Sequence, residues 1–272
     1  AGRNEEARAR LEALVQSGRN VEAAAWHLAM IATRAGDRPL ALGHLARITT
    51  GPRAGGALLR RVRLYEELGR GVEAEAALDD YLNENPASTG ELAVGRAALL
   101  LEQKRADEGL ALLGRLRAVY PDADAIDATL ATLQERTDRV DAAVHTLRDL
   151  LARRPDDPTA LNALGYVLVD RTPQRAEGLR LIERAFAAKP DNGAIIDSMG
   201  WALVQSGQVA AGLPHLERAW RLTEDAEVAS HLGTALWRLG RRDEAHALWS
   251  RVLEDHPDNR HLLAAIAAHP RP

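Results

Sequence analysis

The residues able to do chemistry in this chain are scattered. Nine histidines stand singly along 272 residues, with no HExxH pair and no histidine beside a carboxylate at ligand or triad spacing. They are expected to serve surface or packing roles. Cysteine is absent, which excludes disulfides, thiolate zinc sites and thiol catalysis, and fits a reducing cytosol or a bacterial periplasm equally. Gly165, Gly200 and Gly233 lie too far apart for a phosphate-cradling loop. No nucleophile, base and oxyanion donor occur together, so neither an enzyme nor a cofactor or metal is expected.

Charge excludes further classes. The formal net charge is −4 and the pI about 6.2, so no basic excess draws the chain to nucleic acid or to an anionic bilayer. No apolar run reaches the roughly 20 residues that cross a bilayer, and no basic-then-apolar leader opens the chain.

What remains is a surface for another protein, and its residues recur at fixed offsets. Directly after three regularly spaced glycines come Tyr166, Trp201 and Thr234; four residues before these come Asn162, Asp197 and Ser230. Trp237 follows Thr234 at near-helical spacing. Together they are expected as stripes on one inner helical face, aromatic anchors beside amide, carboxylate and hydroxyl groups, suited to a peptide groove. The competing reading is that Tyr166 and Trp201 pack against the neighbouring repeat. Trp26 and Met30 occupy the same stripe near the N-terminus; either they form a second contact, or repeats outside this sequence cover them. Arg60, Arg61 and Arg63 are followed by Glu66 and Glu67 and are expected as an internally paired face.

These stripes require elements that repeat with a period of about 34 residues. The segments LNALGYVLVDRTPQRAEGLRLIERAFAAKPDN, IIDSMGWALVQSGQVAAGLPHLERAWRLTED and VASHLGTALWRLGRRDEAHALWSRVLEDHPDN share one order. First helices carry Leu164-Gly165, Met199-Gly200 and Leu232-Gly233, then Leu168, Leu203 and Leu236. Second helices carry Gly178, Gly212 and Ala245, then Ile182, Leu216 and Trp249, then Ala185, Ala219 and Val252. Weaker copies lie upstream, through Leu28, Ala41 and Leu45, then Tyr65, Ala74 and Leu78, then Leu100, Gly109 and Leu113, then Leu130, Ala143 and Leu147. Pro86, Pro121, Pro155, Pro190 and Pro257 end units, with Asp122, Asp156, Asp191 and Asp258 expected to cap the next helix.

This order resembles the tetratricopeptide repeat family from about Glu5 to the C-terminus. The resemblance implies an all-α fold, a right-handed α-solenoid of about seven full helix-turn-helix repeats. Residues 1–21 are expected as the second helix of a partial repeat, 22–157 as four degenerate repeats, 158–259 as three well-matched repeats, and 260–272 as a capping helix and tail. Two departures stand out: the turn from Asp170 to Arg175 is about one residue longer than the family's standard turn, and Pro214 falls inside a second helix. The carboxylate clamp of some family members is lacking, because neither Lys104 nor Lys189 falls on an inner position.

LNALGYVLVDRT, IIDSMGWALVQSGQ and DAEVASHLGTALWRLGRRDEA further resemble the last repeats of proteobacterial outer-membrane TPR lipoproteins. Some of these are adaptors presenting cell-wall hydrolases to a periplasmic carboxyl-terminal processing protease. The resemblance implies a non-catalytic adaptor in the bacterial periplasm, anchored to the outer membrane in the full-length protein. The chain opens at Ala1 inside a repeat, as expected of a piece of a longer protein whose signal and lipid anchor lie upstream. The alternatives are a regulatory segment of a larger enzyme and a cytoplasmic assembly scaffold.

Overall fold

A computed structural model describes residues 2–85 and 89–270. Among them are sixteen helices and no strand, an all-α solenoid of successive helix pairs. The chain divides into two compact units, Ala1–Thr129 and Leu130–Pro272. The expected terminator Pro86 lies outside the described residues, and so do 271–272 of the expected tail. Among the described residues, no helix is long and apolar enough to cross a membrane.

The N-terminal unit holds α1 (Gly2–Gln16), α2 (Val21–Arg34), α3 (Arg38–Leu45), α4 (Ala54–Glu67), α5 (Gly71–Glu84), α6 (Thr89–Glu102) and α7 (Ala106–Val119). Helices pack in chain order, α1 on α2, α2 on α3, α4 on α5 and α6 on α7, and α4 also touches α6. Each buries the stripe its 3.6-residue period defines, such as Ala25, Leu28 and Ala29 on α2 against Ala41 and Leu45 on α3. The partly buried Glu66 carboxylate is fully paired. Glu66 accepts from Arg96, from Arg105 at 2.6 Å and from Gln103 at 3.2 Å. Burial by itself would raise its pKa, but the Arg96 and Arg105 hydrogen bonds outweigh it and bring the carboxyl down to about 2. Of the expected paired face only Arg63 bonds Glu67, at 3.3 Å, and Glu67 also takes Arg38 at 2.8 Å, whereas Arg60 lies over Trp26 and Glu66 pairs with Arg96 and Arg105.

Helix α8 (Asp124–Arg136) runs into the C-terminal unit. There follow α9 (Val140–Arg153), α10 (Pro158–Arg171), α11 (Arg175–Ala188), α12 (Gly193–Gln205), α13 (Val209–Thr223), α14 (Ala226–Arg238), α15 (Arg242–Asp255) and α16 (Arg260–Ala268). Partners cross tightly because the expected small residues meet. A Cβ on Gly178 would stand 2.6 Å from the carbonyl oxygen of Gly165, and one on Gly212 2.6 Å from that of Gly200. In the third pair Gly233 opposes an indole, and a Cβ there would collide with Trp249 Nε1. Ile182, Leu216 and Trp249 are fully buried, together with Ala185 and Ala219.

Two local expectations are corrected. The capping residues are Asp157, Asn192 and Asn259, one position beyond the expected aspartates; each accepts from backbone N–H groups of the following turn. Asp156 and Asp191 instead bond Arg184 and Arg218 of the following second helix. The extra residue near Asp170 lengthens the helix, not the turn: α10 has 14 residues where α12 and α14 have 13. Pro214 lies inside second helix α13 as expected, and it sits on the exposed side.

Candidate functional site

First helices form the inner layer of the C-terminal unit, α10 touching α12, α12 touching α14 and α14 touching α16. They enclose a cleft of about 460 Å³, walled by Glu135 and Arg136 of α8, Asn162 and Tyr166 of α10, Asp197 and Ser198 of α12, Glu227 of α14 and Arg260 of α16. Ala131, Ala163 and Ala194 contribute short side chains to the walls and leave the space open.

The predicted residues divide between this cleft and the packing beneath it. Asn162 is in the wall, and its Oδ1 is buried with no hydrogen-bond partner, an acceptor that a bound donor would satisfy. Tyr166 is there too, its hydroxyl donating to Glu227 Oε1 at 2.6 Å. Burial, reinforced by the Glu227 charge, raises the phenol pKa and keeps it a neutral donor. Burial would likewise raise the Glu227 pKa, but nearby His261 and the Tyr166 hydroxyl outweigh it and keep the carboxylate charged.

The other inner-stripe residues are more enclosed than expected: Asp197 also walls the cleft, and Trp201, Ser230 and Thr234 line a second cavity of about 220 Å³ with Tyr166 and His231. Trp201 is 8% exposed; its Nε1–H donates to Asp170 at 2.9 Å, and its ring stacks on His231. Asp197 is buried and accepts from His231 Nδ1–H at 2.9 Å. Ser230 and Thr234 are buried, their hydroxyls donating to the backbone carbonyls of Glu227 and Ser230. The physical reason is the layer itself: the residue after the packing glycine faces the next first helix, so the stripe is covered from one side. Trp237 is half-buried under α16, edge-on to His246 and His269 with centroids 5.3 and 5.4 Å away. Trp26 and Met30, in the N-terminal unit, are half-buried against its core. Trp26 lies 3.8 Å from where Gly56 of α4 would carry a Cβ and beneath the Arg60 guanidinium at 4.9 Å, so the next helix pair covers it.

His231 was missed by sequence reasoning. It is fully buried, which by itself would lower the imidazole pKa, but the Asp197 charge and hydrogen bond outweigh burial and raise it. The site therefore contains a buried, hydrogen-bonded His231–Asp197 pair. Its signal was available: Asp197 and His231 are 34 residues apart, one period, and thus neighbours across the stack. Arg260 and Glu135 carried no such signal, being 125 residues apart.

Comparison with known proteins agrees with this architecture. The family model described as Tetratricopeptide repeat matches residues 100–165 and 203–268. The TPR repeat-containing protein PA4667 of Pseudomonas aeruginosa is 34% identical over 213 residues, 78% of this chain; the chain spans 36% of that relative's length. Among solved structures, a thermophilic TPR protein of Thermus thermophilus superposes with TM-score 0.57 at 22% identity, covering 66% of this chain and 98% of that one. A tetratricopeptide repeat protein of Parabacteroides merdae gives 0.62 at 13% identity, covering 91% and 98%.

Proposed function

We propose that this chain, whose helix pairs are tetratricopeptide repeats, is a non-catalytic scaffold that holds a segment of a partner protein in the inner cleft of its C-terminal unit. The observation that carries the reading is Asn162: a buried amide oxygen without a partner, set in the wall of an open cleft beside Tyr166 and a charged Glu227. An unmet acceptor is costly in an isolated chain and is satisfied by the backbone N–H of an extended peptide.

The finer reading is an adaptor of the bacterial envelope, presenting substrates such as cell-wall hydrolases to a periplasmic protease. What supports it is the resemblance of residues 158–272 to the last repeats of outer-membrane TPR lipoproteins.

A photocrosslinking residue at Ala163, in the cleft wall, tests the site against one at Arg180 on the exposed side of α11. A protein captured from envelope extract only through position 163 supports the proposal. Asn162→Ala should then weaken that complex by about 2 kcal/mol, roughly thirtyfold. Equal capture from both positions, or undiminished affinity in that variant, removes the cleft from the reading.

A further inference from the structure

In a stack of helix pairs each inner helix touches the next, yet two polar contacts of the C-terminal unit skip helices. Tyr166 of α10 reaches over α12 to Glu227 of α14. Arg260 of α16 reaches Glu135 Oε2 at 3.5 Å and the Arg136 carbonyl oxygen at 3.4 Å, both on α8. All four side chains wall the cleft. We propose that these two contacts are a latch that draws the inner helices closed over the cleft, and that its release admits the partner.

The contacts have the make-up of a latch. Helix α16 is anchored by an apolar residue, fully buried Leu262, whereas Arg260 at its first turn is half in solvent, with 51% of its side chain exposed. The anchor can hold while the polar end swings. After release Glu135 keeps Arg171 at 2.6 Å, and Glu227 keeps a longer contact, 3.8 Å, with the His261 imidazole, whose pKa burial lowers. The Arg260 contacts are long beside the 2.6 Å Arg171 bond to the same carboxylate, so they are the ones to yield first. Ser198, 4% exposed, belongs to the same cleft wall and would be uncovered by opening.

The proposal rests on the cleft being the partner site, but its test needs no partner. Because the sequence has no cysteine, Ser198→Cys supplies a single thiol on the cleft wall. Its rate of modification by a small neutral thiol reagent is compared with and without Tyr166→Phe and Arg260→Ala. Loss of both contacts should speed modification by roughly tenfold while the melting temperature holds, as local opening requires. An unchanged rate overturns the latch. So does a faster rate accompanied by a lower melting temperature, which marks general loosening. Failure of the cleft as a binding site would appear separately, as absent crosslinking at position 163.

Discussion

Trp201 and His231 stack face to face, with ring centroids 4.2 Å apart and planes 13° from parallel, and each is tied by its polar edge to a carboxylate one repeat upstream. Trp201 donates to Asp170 and His231 to Asp197. This four-residue assembly bonds α10 to α12 and α12 to α14, making it a seam between repeats.

Trp201→Ala should therefore lower unfolding stability by about 3 to 5 kcal/mol, the range of aromatic deletions in cores. Trp201→Phe, which keeps most of the ring but loses the bond to Asp170, should cost about 1 to 2 kcal/mol. Denaturant titration measures both; a Trp201→Ala variant of native stability would return the indole to the open groove.

The raised pKa of His231 sets a pH dependence. Protons bind more tightly in the folded state, so the stabilisation is complete below the unfolded imidazole value, about 6.5, and is lost as pH rises through the folded value. Urea midpoints should thus fall on the alkaline side of about 6.5, and Asp197→Asn should flatten that slope. An unaltered slope in the variant would remove the pair as its origin.

Glu66 acts in the opposite direction. With its folded pKa near 2, its contribution is present above the unfolded carboxyl value and is lost as pH falls from about 4.5 toward 2. Glu66→Gln should abolish that part of the acid sensitivity. Amide exchange in α4 and α6 at pH 3 and pH 6 reads it locally; identical acid profiles for variant and parent would contradict the assignment.

Gly233→Ala places a methyl group against Nε1 of the Trp249 indole, so the fully buried ring must shift. Gly200→Leu overpacks the preceding pair, where even a Cβ meets Leu216 Cγ at 2.7 Å. Each should cost about 1 to 3 kcal/mol. A melting temperature unchanged by either substitution would refute the helix register described above.

The helix pairs were legible because their determinants are local: small residues at crossings and apolar stripes of fixed period survive in the sequence as spacing. Even the slip at the caps is local, since Pro-Asp-Asp and Pro-Asp-Asn both offer two side chains and only backbone geometry selects the second. The candidate site was half legible. Asn162 and Tyr166 line the cleft, but the same offset two repeats on gives Ser230 and Thr234, which are buried. Offset within a repeat identifies a face, whereas exposure depends on how closely the following helix lies upon it. Arg260 could not be anticipated, since its contact arises from the cumulative curl of the inner layer, which no single repeat encodes.

That same arginine alters how the C-terminal unit comes apart. An array joined only through adjacent helices frays from its ends, each lost pair leaving the remainder much as it was. The contact between residues 260 and 135 spans 125 positions in a fold whose other bonds are mostly local or one repeat apart. Its loop can close only after the intervening pairs have stacked, so it is among the last contacts to form and the first to report strain anywhere between its ends.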